Sequence, residues 1–283
     1  MQPPQVWFIT GASSGFGRCM TDIVLRNGDI AVSTLRKPEV LADLARAYPE
    51  DRLLILKLDV TKPQEIQDYF AEAERKCGRI DVVFDNAGYG IIGEIESTPE
   101  HIARELFDVD FWGAVNVNKE AIRVFRDVNQ PRGGKLLQMS SRCGVEGGPL
   151  IGFYHAAKFA FEGFSESLAA ELDPEWNIQI TLIEPGYFYT GSVGHAVRVP
   201  LHPAYSNPAL PATTLRGFID GGPAGGDAMK ATTMMYRLAS LPLLPLQFPL
   251  GQDALETIKR KTTRLITDTS EYEAWSKGLE RDS

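Results

Sequence analysis

Short apolar runs alternate with amphipathic runs of helix length through the first 190 residues. These apolar runs consist of nearly unbroken apolar residues, which is typical of strands in a parallel sheet covered on both faces. Six of them predict strands: residues 6–10, 30–35, 53–60, 80–88, 135–141 and 178–186. Strand and helix alternating in this way predict an α/β fold with one doubly wound parallel sheet and helices on both faces.

The pattern changes after residue 190. Residues 191–226 are rich in proline, glycine, alanine and histidine, with little periodicity, which predicts a long functional loop, here a substrate lid. Helices are predicted to follow, the first capped by Asp227, and Thr61 is predicted to cap an earlier helix. No linker separates two cores, so we expect a single domain over residues 1–283. Its dinucleotide-binding and catalytic core would be 1–190, and its substrate loop and C-terminal helices 191–283.

Composition narrows the classes of function. The chain has 283 residues, a formal net charge of -8 and a pI of about 5.2. This balance argues against a nucleic-acid partner, because phosphates demand basic patches. The three cysteines are scattered and form no CxxC pair, so neither a disulfide framework nor a zinc site is indicated. A reduced, cytoplasmic setting is expected.

Two stretches bear on targeting and membranes. The first ten residues show no signal peptide. The most apolar stretch, residues 241–250, holds three prolines and is too short to span a bilayer. We expect it to pack in the core or the lid, without stable membrane insertion; contact with a membrane surface is the alternative.

The segment TGASSGFG lies between the first predicted strand and a predicted helix. Gly11, Gly15 and Gly17 let the backbone approach a ligand, and the helix N-terminus offers unpaired N–H groups and a positive dipole end. The arrangement favours the pyrophosphate of a dinucleotide. Because the spacing differs from GxGxxG, the turn alone also allows a tight strand–helix turn without a ligand.

Charge at the end of the second predicted strand indicates which dinucleotide binds. Folds that bind NAD usually place a carboxylate there for the ribose hydroxyls, whereas this chain has Arg36 and Lys37, with no carboxylate before Glu39. An arginine binds a 2′-phosphate through two parallel hydrogen bonds. The sequence therefore favours NADP (NADPH); an Arg36 that is merely solvated is the alternative.

Four motifs occur in order: TGASSGFG, DNAG at residues 85–88, YHAAK at 154–158 and EPGYFYT at 184–190. With them the chain resembles the classical short-chain dehydrogenase/reductase family over almost its whole length. From residue 191 it is similar to the hydroxysteroid- and retinol-dehydrogenase-like branch, which includes fungal members. The resemblance implies a Rossmann-type sheet and a bound nicotinamide cofactor. The implied cofactor contacts are Gly11, Ser13, Ser14, Phe16, Gly17, Arg36, Asp59, Val60, Asn86, Ala87, Gly88, Tyr154, Lys158, Pro185, Gly186 and Thr190.

The resemblance also implies a catalytic set of Ser141, Tyr154 and Lys158 beside the nicotinamide. Reducing a carbonyl needs a hydride from the cofactor and a proton on the oxygen, which Tyr154 would supply. Lys158 lies one helical turn further on the same face, so its charge is expected to lower the tyrosine pKa from about 10 toward working pH. Ser141 would hydrogen-bond the substrate oxygen as charge develops.

One position departs from the family pattern. Classical members carry an asparagine in the fourth helix as a fourth member of the catalytic set, and this chain has Asp110 there. In the family, the main-chain carbonyl of that asparagine binds a water near the lysine, and its side chain braces the helix. We expect Asp110 to keep the carbonyl and to place a negative charge near Lys158; a silent structural brace is the alternative.

The sequence thus predicts an NADP-dependent oxidoreductase that interconverts a carbonyl and a secondary or primary alcohol on a small, mostly apolar substrate. Two alternatives remain open: a non-catalytic NADP-binding sensor or scaffold, and a redox-neutral epimerase on the same fold. The histidines are scattered and form no HxxxH or HExxH pair, so no metal is expected. The resemblance further implies a homodimer or homotetramer formed through the fourth and fifth helices.

Overall fold

The computed structural model describes residues 3–190, 196–222 and 225–281. Its centre is a seven-stranded parallel sheet with the order β7-β6-β5-β4-β1-β2-β3. The strands are β1 (Val6–Ile9), β2 (Ile30–Leu35), β3 (Leu53–Lys57), β4 (Val82–Asp85), β5 (Gly134–Met139), β6 (Ile178–Pro185) and β7 (Gln247–Leu250). The strand order reverses beside β1, and ligands bind open α/β sheets at such a switch point.

Helices cover both faces of this sheet. They are α1 (Gly15–Arg26), α2 (Ala42–Ala47), α3 (Pro63–Cys77), α4 (Glu100–Phe107), α5 (Ala114–Arg123), α6 (Gly152–Glu171), α7 (Pro211–Asp220), α8 (Ala228–Ala239) and α9 (Gln252–Tyr272). Trp7 of β1 packs in a cluster with α1 and α8, whereas its neighbour Phe8 packs in a second cluster with α3 and α5. Each face of the sheet therefore has its own buried layer, and the predicted Rossmann-type doubly wound fold is confirmed.

The seventh strand was not predicted from the sequence. It arises from the proline-rich stretch at residues 241–250, which was assigned only to packing, and β7 pairs in parallel with β6 at the edge of the sheet. Pro249 is tolerated there because an edge strand needs fewer ladder hydrogen bonds. Leu244 is buried in the core, as the packing interpretation expected. None of the described helices is both long and apolar enough to cross a membrane.

The predicted lid contains more regular structure than its sequence suggested. The helix α7 lies inside the stretch assigned to a loop, and residues 191–195 and 223–224 of that stretch lie outside the described residues. Arg216 of α7 forms a partly buried ion pair with Glu94, with Nη2 and Oε1 2.8 Å apart. Near the other end of this stretch, the Tyr205 hydroxyl donates a hydrogen bond to Glu96 (2.9 Å). The segment that follows β6 is thereby attached to the loop that follows β4.

The two predicted caps have different outcomes. Asp227 caps α8 by accepting a hydrogen bond from the Lys230 amide (2.9 Å), as predicted. The prediction for Thr61 was wrong, because α3 begins at Pro63 with Lys62 before it and no side-chain cap. Thr61 instead donates its amide and hydroxyl hydrogens to Asp59, which closes a local turn at the end of β3.

Candidate active site

The glycine turn joins β1 to α1 and has the backbone shape that only glycine accepts readily. Gly11 and Gly15 have φ values of +67° and +54°. A side chain on Gly17 would meet the Gly11 carbonyl oxygen at 2.3 Å. In the described chain no side chain caps α1 after Ser14, and its first turn carries no acidic residue. This end of α1 therefore offers free N–H groups and a positive dipole end, which fit a phosphate group.

The predicted contacts at the start of the turn occupy different environments. Ser13 is exposed, while Ser14 and Phe16 are half-buried. The Phe16 ring packs edge-on against Phe188, with centroids 5.7 Å apart. This contact connects the glycine turn to the segment after β6, so the predicted pyrophosphate and nicotinamide segments lie side by side.

The loop after β4 is held against the end of β1 by one hydroxyl. The Thr10 Oγ1 accepts hydrogen bonds from the amides of Asn86 (2.8 Å) and Ala87 (2.9 Å). It donates its own hydrogen to Asp85 Oδ1 (3.1 Å). The Asn86 side chain returns a bond from Nδ2 to the Thr10 carbonyl (3.0 Å). The structure thus places the DNAG motif directly beside the glycine turn, as the resemblance implied.

Arg36 follows β2 at the same edge of the sheet. It is exposed, and within the described residues it has no ion-pair partner. Asp59 and Val60 follow β3 one strand further out; Asp59 is half-buried and Val60 is buried. A bare guanidinium at the same edge of the sheet as an uncapped helix terminus is a fitting environment for a phosphate.

Ser141, Tyr154 and Lys158 come together where β5 ends and α6 begins. Ser141 begins the short 3₁₀ turn Arg142–Gly144, and its hydroxyl accepts a hydrogen bond from the Cys143 amide (3.1 Å). Tyr154 and Lys158 lie in the first two turns of α6, with the Lys158 Nζ 5.7 Å from the centre of the tyrosine ring. The three side chains that the sequence pointed to therefore share one site.

The pKa of Tyr154 differs from the expectation. Burial raises it to about 12, although the Lys158 charge and the Ser141 hydroxyl act in the opposite direction. The predicted lowering by Lys158 is present as a contribution, but the loss of water around the phenol is larger. The phenol is therefore protonated at neutral pH in this structure.

Asp110 lies against Lys158, as its position in the family pattern implied. Its Oδ2 is 3.3 Å from the Lys158 Nζ, and its Oδ1 accepts a hydrogen bond from the Tyr89 amide (3.0 Å). Asp110 is 1% exposed and sits in a π-helical turn, Asp108–Gly113, a geometry frequent at functional sites. Gly88 packs closely beside it, because a Cβ there would lie 3.1 Å from the Asp110 carboxylate.

A second buried carboxylate near Lys158 was not predicted. Asp85 is 3% exposed, and burial raises its pKa to about 7, while Thr10 and the Lys158 charge oppose that rise. Burial also opposes the charge of Lys158, but its acidic neighbours, Asp110 first, raise its pKa above the ordinary value. The only sequence signal for Asp85 was its place in DNAG, which names a loop and says nothing about which side chain turns toward the lysine.

The loop after β6 is braced by another residue that sequence reasoning missed. Asp253, near the start of α9, accepts a hydrogen bond from the Tyr187 amide (2.8 Å) and lies 3.4 Å from Arg142. A Cβ on Gly186 would meet its carboxylate at 1.8 Å, so a larger residue there would displace Asp253 from this position. Pro185 ends β6, and Thr190 lies against Gly15. Asp253 is 67 positions from Gly186 along the chain, so no local pattern could reveal the contact.

Comparison with known proteins identifies the family. The model described as "short chain dehydrogenase" matches residues 5–198. The chain belongs to this family. An uncharacterized oxidoreductase of Schizosaccharomyces pombe is 34% identical over 277 residues, covering 97% of this chain and 91% of that protein. The short-chain dehydrogenase structure from Streptomyces avermitilis is 31% identical with a TM-score of 0.89, covering 99% of this chain and 100% of that one.

A plant relative bears on the predicted branch of the family. The 11-beta-hydroxysteroid dehydrogenase 1A of Arabidopsis thaliana is 32% identical over 188 residues, which is 65% of this chain and 52% of that protein. The predicted family resemblance is therefore confirmed, and the fungal and hydroxysteroid relatives agree with the predicted branch. This short-chain dehydrogenase is an oxidoreductase with a nucleotide-binding fold.

Proposed function

We propose that this short-chain dehydrogenase uses NADP(H) to interconvert a carbonyl and a secondary or primary alcohol, with Tyr154 as the acid and base. The observation that carries the proposal is the fixed position of Lys158. Its ammonium is held by Asp110 and by a hydrogen bond to the Met139 carbonyl (3.1 Å), beside a protonated phenol and the Ser141 hydroxyl. A buried, immobile cation next to a phenol is suited to stabilising a phenolate as it forms.

The cofactor would lie along the C-terminal edge of the sheet. The glycine turn and the N-terminus of α1 would hold the pyrophosphate, and Arg36 would hold the 2′-phosphate of the adenosine ribose. Asp59 and Val60 would contact the adenine, and Asn86 to Gly88 would line the cofactor on the β4 side. Pro185, Gly186 and Thr190 would contact the carboxamide of the nicotinamide, and Lys158 its ribose. When bound, NADPH supplies the hydride.

The chain's own residues would donate and accept the proton. Reduction needs a protonated acid beside the substrate oxygen, and Tyr154 has that form at neutral pH, since burial raises its pKa to about 12 from an ordinary value that already lies above neutral pH. Its phenol would give the proton to the oxygen, and the Ser141 hydroxyl would hydrogen-bond that oxygen while negative charge builds up. Lys158 would stabilise the resulting phenolate, and Asp110 would keep the ammonium in place.

An apolar substrate is favoured by the residues packed around the phenol. Tyr154 is partly buried against a cluster that includes Ile91, Ala157 and Val199. Those side chains offer no charge or hydrogen-bonding group to a ligand. A small ketone or alcohol with apolar substituents would therefore lose water around its carbon atoms on binding there.

The test is a panel of ketones, aldehydes and alcohols, assayed by NADPH absorbance with the unmodified protein and with Tyr154→Phe. We expect turnover with apolar carbonyl compounds, and its loss in the variant. Binding of NADPH with no turnover on any member would indicate a sensor or scaffold. Chemical conversion with no net change in absorbance would indicate an epimerase. Either result would overturn the proposal.

A further inference from the structure

The end of the chain extends away from the folded body. The first turns of α9 pack on the body, with Ala254 and Thr257 buried and Ile258 and Lys261 half-buried. From residue 262 to residue 281 every side chain is exposed. More than half of the 21-residue helix therefore has no contact that buries it against the described part of its own chain. An isolated helix of that length is marginal in water, so the exposed part calls for a partner.

The side of the helix that packs on the body continues as an apolar stripe beyond it. Ile258, Leu265 and Tyr272 are seven residues apart, so they lie on one face together with Ala254. Leu265 and Tyr272 are each 51% exposed, and Trp275, which packs edge-on against Tyr272 at 5.8 Å, is 77% exposed. Large apolar side chains in a continuous row are a feature of interaction surfaces.

The charges along one edge of this stripe indicate which kind of partner the helix fits. Lys261, Arg264, Asp268 and Glu271 are spaced by three, four and three residues, so they share one flank of the helix, two basic residues followed by two acidic ones. Within the described residues none of the four forms an ion pair. Such a pattern is complementary to itself when reversed: two copies that run antiparallel bring this flank opposite itself and place basic residues opposite acidic ones, whereas a parallel twofold pair would not bring this flank opposite itself.

We propose that the exposed part of α9 pairs antiparallel with the same segment of a second copy of this chain. A twofold axis near Ile266 brings Arg264 of each copy level with Asp268 of the other, and Lys261 level with Glu271. The same pairing covers Leu265, and an interface with twofold symmetry closes after two copies. This surface is separate from the fourth and fifth helices, which the family resemblance assigned to assembly.

The balance of basic and acidic residues in this part of α9 also argues against an anionic membrane as the partner. The helical segment from residue 258 to residue 272 and the residue after it carry nearly equal numbers of basic and acidic side chains: Lys259, Arg260, Lys261, Arg264, Asp268, Glu271 and Glu273. Binding to anionic lipid is driven by an excess of lysine and arginine, and this segment has little. A second copy uses both halves of the pattern.

The experiment is a charge exchange followed by analytical ultracentrifugation of the full chain. One variant, Lys261→Glu with Arg264→Glu, makes the flank wholly acidic, and the other, Asp268→Lys with Glu271→Lys, makes it wholly basic. We expect each variant alone to pair less tightly through α9, with the dissociation constant of that pairing raised at least about 10-fold. An equimolar mixture of the two should regain the assembly mass of the unmodified protein, because acidic and basic flanks then face each other.

A matched control lies on the same helix. Lys259→Glu changes one charge off the stripe and should leave association unchanged, whereas Lys261→Glu should weaken it. Because all the changed side chains are exposed or half-buried, thermal unfolding should stay close to that of the unmodified protein. Unchanged assembly in both double variants, or a mixture that fails to regain mass, would overturn the pairing. Binding of the unmodified chain to phosphatidylserine vesicles, with no self-association, would also overturn it and would indicate a membrane partner.

Discussion

Lys158 and Arg36 both lie at the C-terminal edge of the same sheet, yet their surroundings are opposite. Lys158 is 5% exposed, ion-paired with Asp110 and hydrogen-bonded to a main-chain carbonyl. Arg36 is exposed and has no ion-pair partner among the described residues. A buried, fully engaged cation affects the protonation of its neighbours strongly, because little water screens it. An exposed cation is available to a ligand. Lys158 is therefore suited to a role in catalysis, and Arg36 to the selection of the cofactor.

The largest effect should come from removing the proton that the Lys158 environment controls. Tyr154→Phe should lower kcat by roughly 1,000-fold or more, because proton transfer from a positioned acid contributes on that order. NADPH binding should stay near that of the unmodified protein, since only the hydroxyl is lost. Steady-state kinetics and a calorimetric titration with NADPH measure the two quantities. Near-normal turnover would mean that another group is the acid.

Removing the buried cation itself should affect both binding and chemistry. Lys158→Ala should lower kcat on the order of 100-fold and weaken NADPH binding about 10-fold, since one ammonium is proposed to support the phenolate and the ribose. The change leaves the Asp110 carboxylate buried without its partner, which is destabilising. The double variant Lys158→Ala with Asp110→Asn has no unpaired buried charge at this position. Its thermal unfolding therefore shows how much of the lost activity comes from lost stability. Loss of kcat alone would contradict a role in binding.

Arg36 should affect which cofactor binds, without affecting the proton and hydride transfer. Arg36→Asp should weaken NADPH by at least about 2 kcal/mol, a factor of about 30, because it removes a charge-assisted contact and adds repulsion. NADH should bind as well as before or better. Arg46→Asp in α2 makes the same charge change away from the site and serves as the control. The ratio of kcat/KM for the two cofactors is the readout, and an unchanged ratio in Arg36→Asp would show that Arg36 is only solvated.

The smallest effect should come from neutralising the partner of Lys158. The Asp110 charge raises the pKa of Tyr154, after burial as the main cause. Asp110→Asn removes that contribution, so the tyrosine pKa falls, and the limb of the pH–rate profile that reports its ionisation moves to lower pH. Activity should be kept, because the main-chain carbonyl at position 110 is unchanged. An unmoved profile would leave Asp110 as a structural brace.

The sequence predicted local features well and tertiary ones poorly. Six strands and the glycine turn follow from runs and spacings that the chain carries locally, whereas the convergence of Ser141 with the YHAAK motif was implied only by the family resemblance. The strand β7 was missed because the three prolines of residues 241–250, one of them inside the strand, argue against a strand unless it is known to lie at an edge. Asp85, Asp253 and the raised pKa of Tyr154 depend on burial and on contacts between distant segments, and no single-sequence pattern encodes those.

The account of the two cations depends on whether Arg36 selects the cofactor that carries a 2′-phosphate. A calorimetric titration of the unmodified protein with NADPH and with NADH, at low and at moderate salt, tests this without knowledge of the substrate. NADPH should bind at least about 10-fold more tightly, and the advantage should shrink as salt screens the exposed guanidinium. Equal affinities, or tighter binding of NADH, would contradict the account, because Arg36 would then select no phosphate.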